Sequence, residues 1–272
     1  PRLDLRTRPH RRRPSRTEGL NVMPFSIRKT LVAVAAMAGL ALSEKRSRLE
    51  QFRKTPKPSA RAIYVELELR WWLGQNVSGV RRMSTALRRA SGSAEVNQAL
   101  LMLLTFLEPN SERFYIWCSR LHNSFQENKD LEAEYELASH VFQLNRDLGN
   151  RPVAADVIDH MQGFEVSQSE PEAARIKLYS GIVALDDGDL EQAERHLESA
   201  LSEREEFYGR LHPFTLEVGY ALACVAESQG RIREAFERMD KVINVWKDLV
   251  PKRHSASRKI DELYRRLRRL TV

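Results

Sequence analysis

Histidine and cysteine are the residue types best suited to hold a metal or attack a carbonyl, and this sequence has seven and two of them. The histidines are His10, His122, His140, His160, His196, His212 and His254. None lies in an H-E-x-x-H pattern, and no set of them with Cys118 and Cys224 reproduces the four-ligand spacing of a zinc site. Asp156-x-x-Asp159-His160 can be drawn as an acid/base or metal cluster. Such a grouping recurs on ordinary polar helices, so a helix surface is the better reading. The sequence has no P-loop, no dinucleotide glycine fingerprint and no G-x-S-x-G elbow. Cys118 and Cys224 sit within apolar helical patterns and read as small buried hydrophobes. Two distant cysteines also exclude a disulfide-stapled scaffold. The expectation is a protein that is not an enzyme, with no cofactor and no metal.

Charge is the next constraint. The chain has 272 residues and a net charge of +7, spread unevenly. Residues 1–61 hold 16 Lys+Arg against 4 Asp+Glu, residues 62–250 hold 20 against 31, and residues 251–272 hold 8 against 2. An acidic body therefore carries two basic ends, which points to basic arms rather than a basic groove. At the first end, eight arginines within residues 1–30 precede a run of twelve apolar residues, Leu31–Leu42. That run is short of the roughly 20 needed to span a bilayer, so no transmembrane helix is expected. Read from Met23, the segment has a basic start, an apolar run and small residues at Ala41 and Ser43, like a secretory signal; read from Pro1, residues 1–43 are Arg-rich and acid-poor like an organellar presequence. A third reading is an Ala-rich helix that packs on a partner. The compartment expected is mitochondrial or another organelle, with the cytoplasm as the alternative. Residues 44–60, charged and ending in Pro56 and Pro58, read as a linker.

The elements that would position any functional residue are helices. Residues 61–73 alternate as a strand would, through Ile63, Val65, Leu67 and Leu69, but every later segment is helical and a lone strand has no sheet to join. We therefore read helix, with Trp71-Trp72 covering the first layer of the core or anchoring an interface. Apolar stripes of 3.6-residue period follow at Val96–Leu107, Phe114–Phe125 and Leu131–Phe142. Residues 61–110 are assigned to N-terminal helices. Ser255–Val272 places Ile260, Leu263, Leu267 and Leu270 on one stripe with Arg265, Arg266, Arg268 and Arg269 opposite, as expected of a terminal cap.

Two segments repeat at an offset of 42 residues. When Gly188 is aligned with Gly230, Gly181 meets Ala223, Ala184 meets Ala226, Ala193 meets Ala235, Leu197 meets Met239, and Ala200-Leu201 meets Val242-Ile243. Small residues let paired helices approach, and a turn glycine accepts a left-handed backbone. The pattern resembles the tetratricopeptide repeat, with Gly181, Gly188, Ala193, Ala200, Ala223, Gly230 and Ala235 in the defining positions. The segment between repeats carries Gly209-x-x-His212-Pro213, similar to the kinesin-light-chain type of repeat; the next junction has His254-Ser255, where the repeat decays. Lys177 and Gly219 depart from the family's large aromatic, and Ser180 departs from its Leu.

The resemblance implies an all-α, right-handed helix-turn-helix solenoid with a basic N-terminal extension and a C-terminal capping helix. Residues 171–254 would form two repeats. Residues 111–170 would hold a degenerate third, pairing about 112–128 with 130–148, and 152–168 would be half of another. The function implied is a protein–protein adaptor, scaffold or assembly factor that holds a partner peptide or helix on a concave face. Lys177, Ser180, Ala184, Gly219, Leu222 and Ala226 are expected to face that partner. Two alternatives stand beside it: an RNA binder clamping nucleic acid with its basic arms, and a subunit of an organellar membrane complex that meets other subunits through Leu31–Leu42 and Trp71-Trp72.

Overall fold

The computed structural model describes residues 39–53, 60–74, 96, 99–102, 112–147, 149–164, 167, 170–252 and 254–271. Residues 1–38, Pro56, Pro58 and the stripe positions Leu103, Leu104 and Leu107 lie outside them. Among the described residues every regular element is a helix: α1 Leu42–Arg53, α2 Ala60–Trp72, α3 Glu112–Asn128, α4 Leu131–Asp147, α5 Arg151–Gln162, α6 Glu170–Asp187, α7 Leu190–Tyr208, α8 Pro213–Ser228, α9 Ile232–Leu249 and α10 Ser255–Thr271. No helix is long and apolar enough to cross a membrane among the described residues.

The helices pair in sequence, α6 with α7 and α8 with α9, and α10 closes the stack on α9. Close approach within the first pair depends on Gly181. A Cβ there would lie 2.6 Å from Leu197 Cγ and 3.2 Å from the Ala193 carbonyl, so only hydrogen fits. Ala193, Leu197 and Ala200 are buried against α6, and Ala223, Ala235 and Met239 repeat the arrangement one pair later. The turn between paired helices is the same each time. Gly188 has φ 85° and Gly230 has φ 76°. The amide after each glycine, of Asp189 and of Arg231, donates to the carbonyl of Ala184 and of Ala226 at 2.9 and 2.8 Å. These bonds satisfy carbonyls that a helix end would otherwise orphan.

The upstream frame differs from the expectation. The same turn occurs at Gly149 (φ 69°), where the Asn150 amide donates to the Asn145 carbonyl at 2.8 Å. Ala154 and Ile158 then occupy the places of Ala193 and Leu197, both buried. The third pair is therefore α4 with α5, not residues 112–128 with 130–148, and α5 is its second helix rather than half of a further repeat. Phe142 and Asn145 stand where the later pairs have Gly181 and Ala184, which hides the register in the sequence. The α3–α4 turn is a variant with Lys129 at φ 53° in the glycine's place.

Two further expectations are corrected. Residues 44–60 are not wholly a linker, because α1 forms across Leu42–Arg53 and buries Lys45 and Leu49, one helical turn apart, on one face. A charged composition concealed that face. On α10, Ile260, Leu263 and Leu267 are buried but Leu270 is 60% exposed, because the stack ends before the helix does. Residues 61–72 of the segment read as helix lie within α2, and Leu73 forms the turn that ends it.

The two kinds of glycine separate in a stability measurement. Gly181→Ala overpacks the α6–α7 contact and costs about 2 kcal/mol. Gly188→Ala meets no neighbour within 4 Å and carries only the left-handed backbone penalty, about 1 kcal/mol. Urea denaturation of the two variants gives the order, with Gly181→Ala showing the lower midpoint.

Candidate functional site

The first helices of the pairs, α4, α6 and α8, lie side by side, with α10 next in the row. Side chains three and four residues apart on them form one face, and ion pairs tie α4 to α6 and α8 to α10. Arg175 of α6 donates to Glu136 of α4 at 2.7 Å and lies 3.1 Å from Glu172, with the Ser139 hydroxyl at 3.4 Å. Arg146 of α4 reaches Asp186 of α6 at 3.2 Å. Arg266 of α10 grips Glu227 of α8 with two bonds of 2.6 and 2.7 Å. Burial works against the Arg175 charge, and Glu136 and Glu172 more than restore it, so its pKa stays raised. Burial also raises Glu172, with Arg175 opposing.

Between these ties lie Tyr220 and Cys224 of α8, both half-buried. Desolvation pushes the Cys224 thiol up to about 11. Cys118 is buried and pushed up to about 12 by desolvation. Neither cysteine is poised as a thiolate nucleophile. Asp156, Asp159 and His160 are exposed on α5, and no group of three or more His, Cys, Asp or Glu is placed to hold a metal among the described residues.

The residues expected to face a partner are distributed otherwise. Ala184, Leu222 and Ala226 are 8%, 2% and 0% exposed and belong to the core. Lys177 turns to its paired helix, where it donates to Ser199 at 3.0 Å and to Glu203. Gly219 packs toward α9, so that a Cβ would meet Val242 Cγ2 at 3.1 Å. Ser180 is half-buried. Gly219 is small because α9 lies on it. The surface-forming set is turned slightly around α8: Glu217, Tyr220, Cys224 and Glu227, spaced three, four and three residues apart. Their polar and aromatic character on an otherwise apolar helix was the signal available in the sequence.

Histidine caps the starts of α8 and α10. His212 caps α8, its Nδ1 accepting from the Phe214 amide at 3.2 Å, and Pro213 fills the first turn. His254 does the same for α10, its Nδ1 accepting from Ala256 at 3.2 Å. The junction that looked decayed for want of proline therefore retains its cap, because the histidine makes the bond and the proline only presets φ. Thr215 locks the first junction by donating to the Gly209 carbonyl at 2.9 Å. Arg204, buried beneath it, donates to the Phe214 carbonyl at 2.5 Å and to Glu217 at 3.1 Å.

A stack of paired helices with a common turn, a small residue at the α6–α7 and α8–α9 crossings and the first helices set in a row defines a helical-repeat solenoid. The family model for the tetratricopeptide repeat matches residues 172–248. Those residues, α6 to α9, are tetratricopeptide-type repeats, and repeats of this family mediate protein–protein interaction. Comparison with curated proteins and with solved structures finds no match.

Burial lowers the His254 pKa from 6.5 to about 4, helped by the Lys45 and Arg258 charges. The unfolded chain therefore binds a proton on His254 that the folded chain refuses. The stabilisation is complete above pH 6.5 and is lost as pH falls toward 4, on the order of 3 kcal/mol in all. His254→Asn keeps a capping acceptor without a titration. In chemical denaturation across pH 4–6.5, stability should fall less steeply with acid in the variant than in the parent.

Proposed function

We propose that this chain is a non-catalytic adaptor that binds a protein partner on the face formed by α4, α6, α8 and α10. The observation that carries the reading is the row itself: Arg146–Asp186, Tyr220–Cys224 and Glu227–Arg266, half-buried side chains on the first helices of the stack, closed by the exposed Arg266 of the cap. A surface of tyrosine flanked by arginine and carboxylate offers one aromatic anchor and charged groups of both signs, the composition of a protein interface. An extended peptide or a helix is the occupant such a row accommodates. The mixed charge speaks against a nucleic-acid tract, which needs a cationic surface along its length. An Arg-rich, acid-poor residue 1–30 supports delivery to an organelle, and an assembly factor or complex subunit there fits an adaptor without chemistry of its own.

Affinity purification of the full chain with and without nuclease separates adaptor from RNA binder. Protein partners should survive nuclease treatment. The double variant Tyr220→Ala/Glu227→Lys should lose them while keeping its thermal midpoint within a few degrees. Arg233→Glu, on a 91% exposed side chain of α9, should retain them. Loss of every partner on nuclease treatment, or equal loss in both variants, contradicts the reading.

A further inference from the structure

Helices α1 and α2 precede the stack in sequence yet meet it near its far end. Trp72 is 2% exposed and shares a cluster with Leu216 and Val250 of the last pair and Ile260 of the cap. Its ring is stacked with His254 at 6.1 Å and tilted toward Phe214 at 6.1 Å, while Trp71 meets His254 edge-on at 4.7 Å. Lys45, fully buried, donates to the Leu249 carbonyl at 2.7 Å, at the C-terminal end of α9, and its ammonium lies 5.2 Å from the Trp72 ring centroid. That carbonyl belongs to the last turn of a helix, where a cation is favoured. The Trp72 indole N–H donates to Glu68, itself 5% exposed, at 2.9 Å.

The α6–α7 and α8–α9 crossings are apolar, with Gly181 on Leu197 and Ala223 in the cluster that holds Met239. By contrast α1 and α2 meet the stack through a seam of two indoles and a buried ammonium, with the buried Glu68 carboxyl holding the indole of Trp72. Removing Lys45 and Glu68 from water is costly, and water restores that cost when the seam opens. Burial holds Lys45 down at about 8 and Glu68 up at about 7, which records the same penalty. The tryptophans and the Lys45–Leu249 bond favour the closed state while desolvation of the two charged groups opposes it, so closing and opening are offset in a way an apolar seam does not allow.

We propose that the edge formed by Phe214, Leu249 and His254 is a docking site for a tryptophan-bearing helix, filled in cis by α2, and that α1 and α2 act as a reversible clasp rather than a permanent layer of the stack. Opening would uncover Trp71, Trp72 and Phe214 while the repeats remain folded. The proposal does not require that the face of the first helices bind a protein, and its test reads the clasp alone.

Hydrogen exchange of the full chain, followed by mass spectrometry, gives the opening of each helix. Amides of α1 and α2 should exchange at least tenfold faster than those of α8 and α9. Trp72→Ala should speed exchange in α1 and α2 with α8 and α9 unchanged. Lys45→Met/Glu68→Gln, which removes both charges and keeps an acceptor for the indole of Trp72, should slow exchange there. A labelled peptide of residues 60–74 should bind the Trp72→Ala chain saturably and leave the parent chain unbound. Equal exchange in α1, α2, α8 and α9 of the parent overturns the clasp, as does a peptide that fails to bind a folded Trp72→Ala chain. If Trp72→Ala unfolds the stack, the charge-removing variant decides: slower exchange confined to α1 and α2 supports the proposal, and any other pattern overturns it.

Discussion

The missing side chain at Gly181 sets the geometry of the stack. With hydrogen at that position, α7 can approach until Leu197 and the Ala193 backbone rest on α6. That approach fixes which side of α6 is core. Ile176, Tyr179 and Ala184 are consumed by packing, and Arg175 and Asp186 are left to reach the neighbouring first helix. Ala223 permits the same approach in the next pair, where Met239 replaces Leu197. The α4–α5 pair solves the problem differently. Phe142 occupies the crossing position and stacks on Tyr179 of α6 with ring centroids 4.1 Å apart, so bulk on one helix is accommodated by the next pair.

Once packing is fixed, polar contacts set the order in which pairs are laid down. Along the second helices, Arg231 bridges Glu194 and Glu234, and Arg238 bridges Glu198 and Glu234. Along the first helices, Arg146, Arg175 and Arg266 do the same. The partly exposed pairs contribute little stability individually. Their importance is geometric: each arginine fork spans consecutive repeats, so one repeat's position constrains the next. The Arg175 cluster is more deeply placed, and removal of either partner would strand a buried charge. An acidic body with arginines at the joints is what this arrangement looks like in composition.

Much of this was legible in the sequence where one residue type has one physical use. Gly188 and Gly230 announce left-handed turns, and Gly181 and Ala223 announce close crossings. The α4–α5 frame was harder to see because Phe142 and Asn145 interrupt the small-residue pattern, although Gly149, Ala154 and Ile158 keep the turn and the second helix in register. The interaction face was misplaced for a related reason. Ala184, Leu222 and Ala226 attract notice as small or apolar residues of the first helices, but those properties record contact with the paired helix. Lys45 and Glu68 were illegible as buried groups, since α1 and α2 are buried by the packing of Trp72 against α8, α9 and α10 and by the Lys45 contact with the end of α9, far along the chain. His254 kept its capping role despite the loss of the adjacent proline, because the bond is made by the imidazole.

The central claim is that α6 and α7 touch through Gly181 and Leu197, and a double-mutant cycle tests it directly. Gly181→Ala, Leu197→Ala and the double variant are compared by equilibrium denaturation. If the added methyl collides with the Leu197 side chain, shortening that side chain makes room for it, and the double variant will be more stable than the sum of single effects by about 1 kcal/mol or more. Additivity within roughly 0.3 kcal/mol would mean the two residues do not meet, and the pairing on which the stack is built would be wrong.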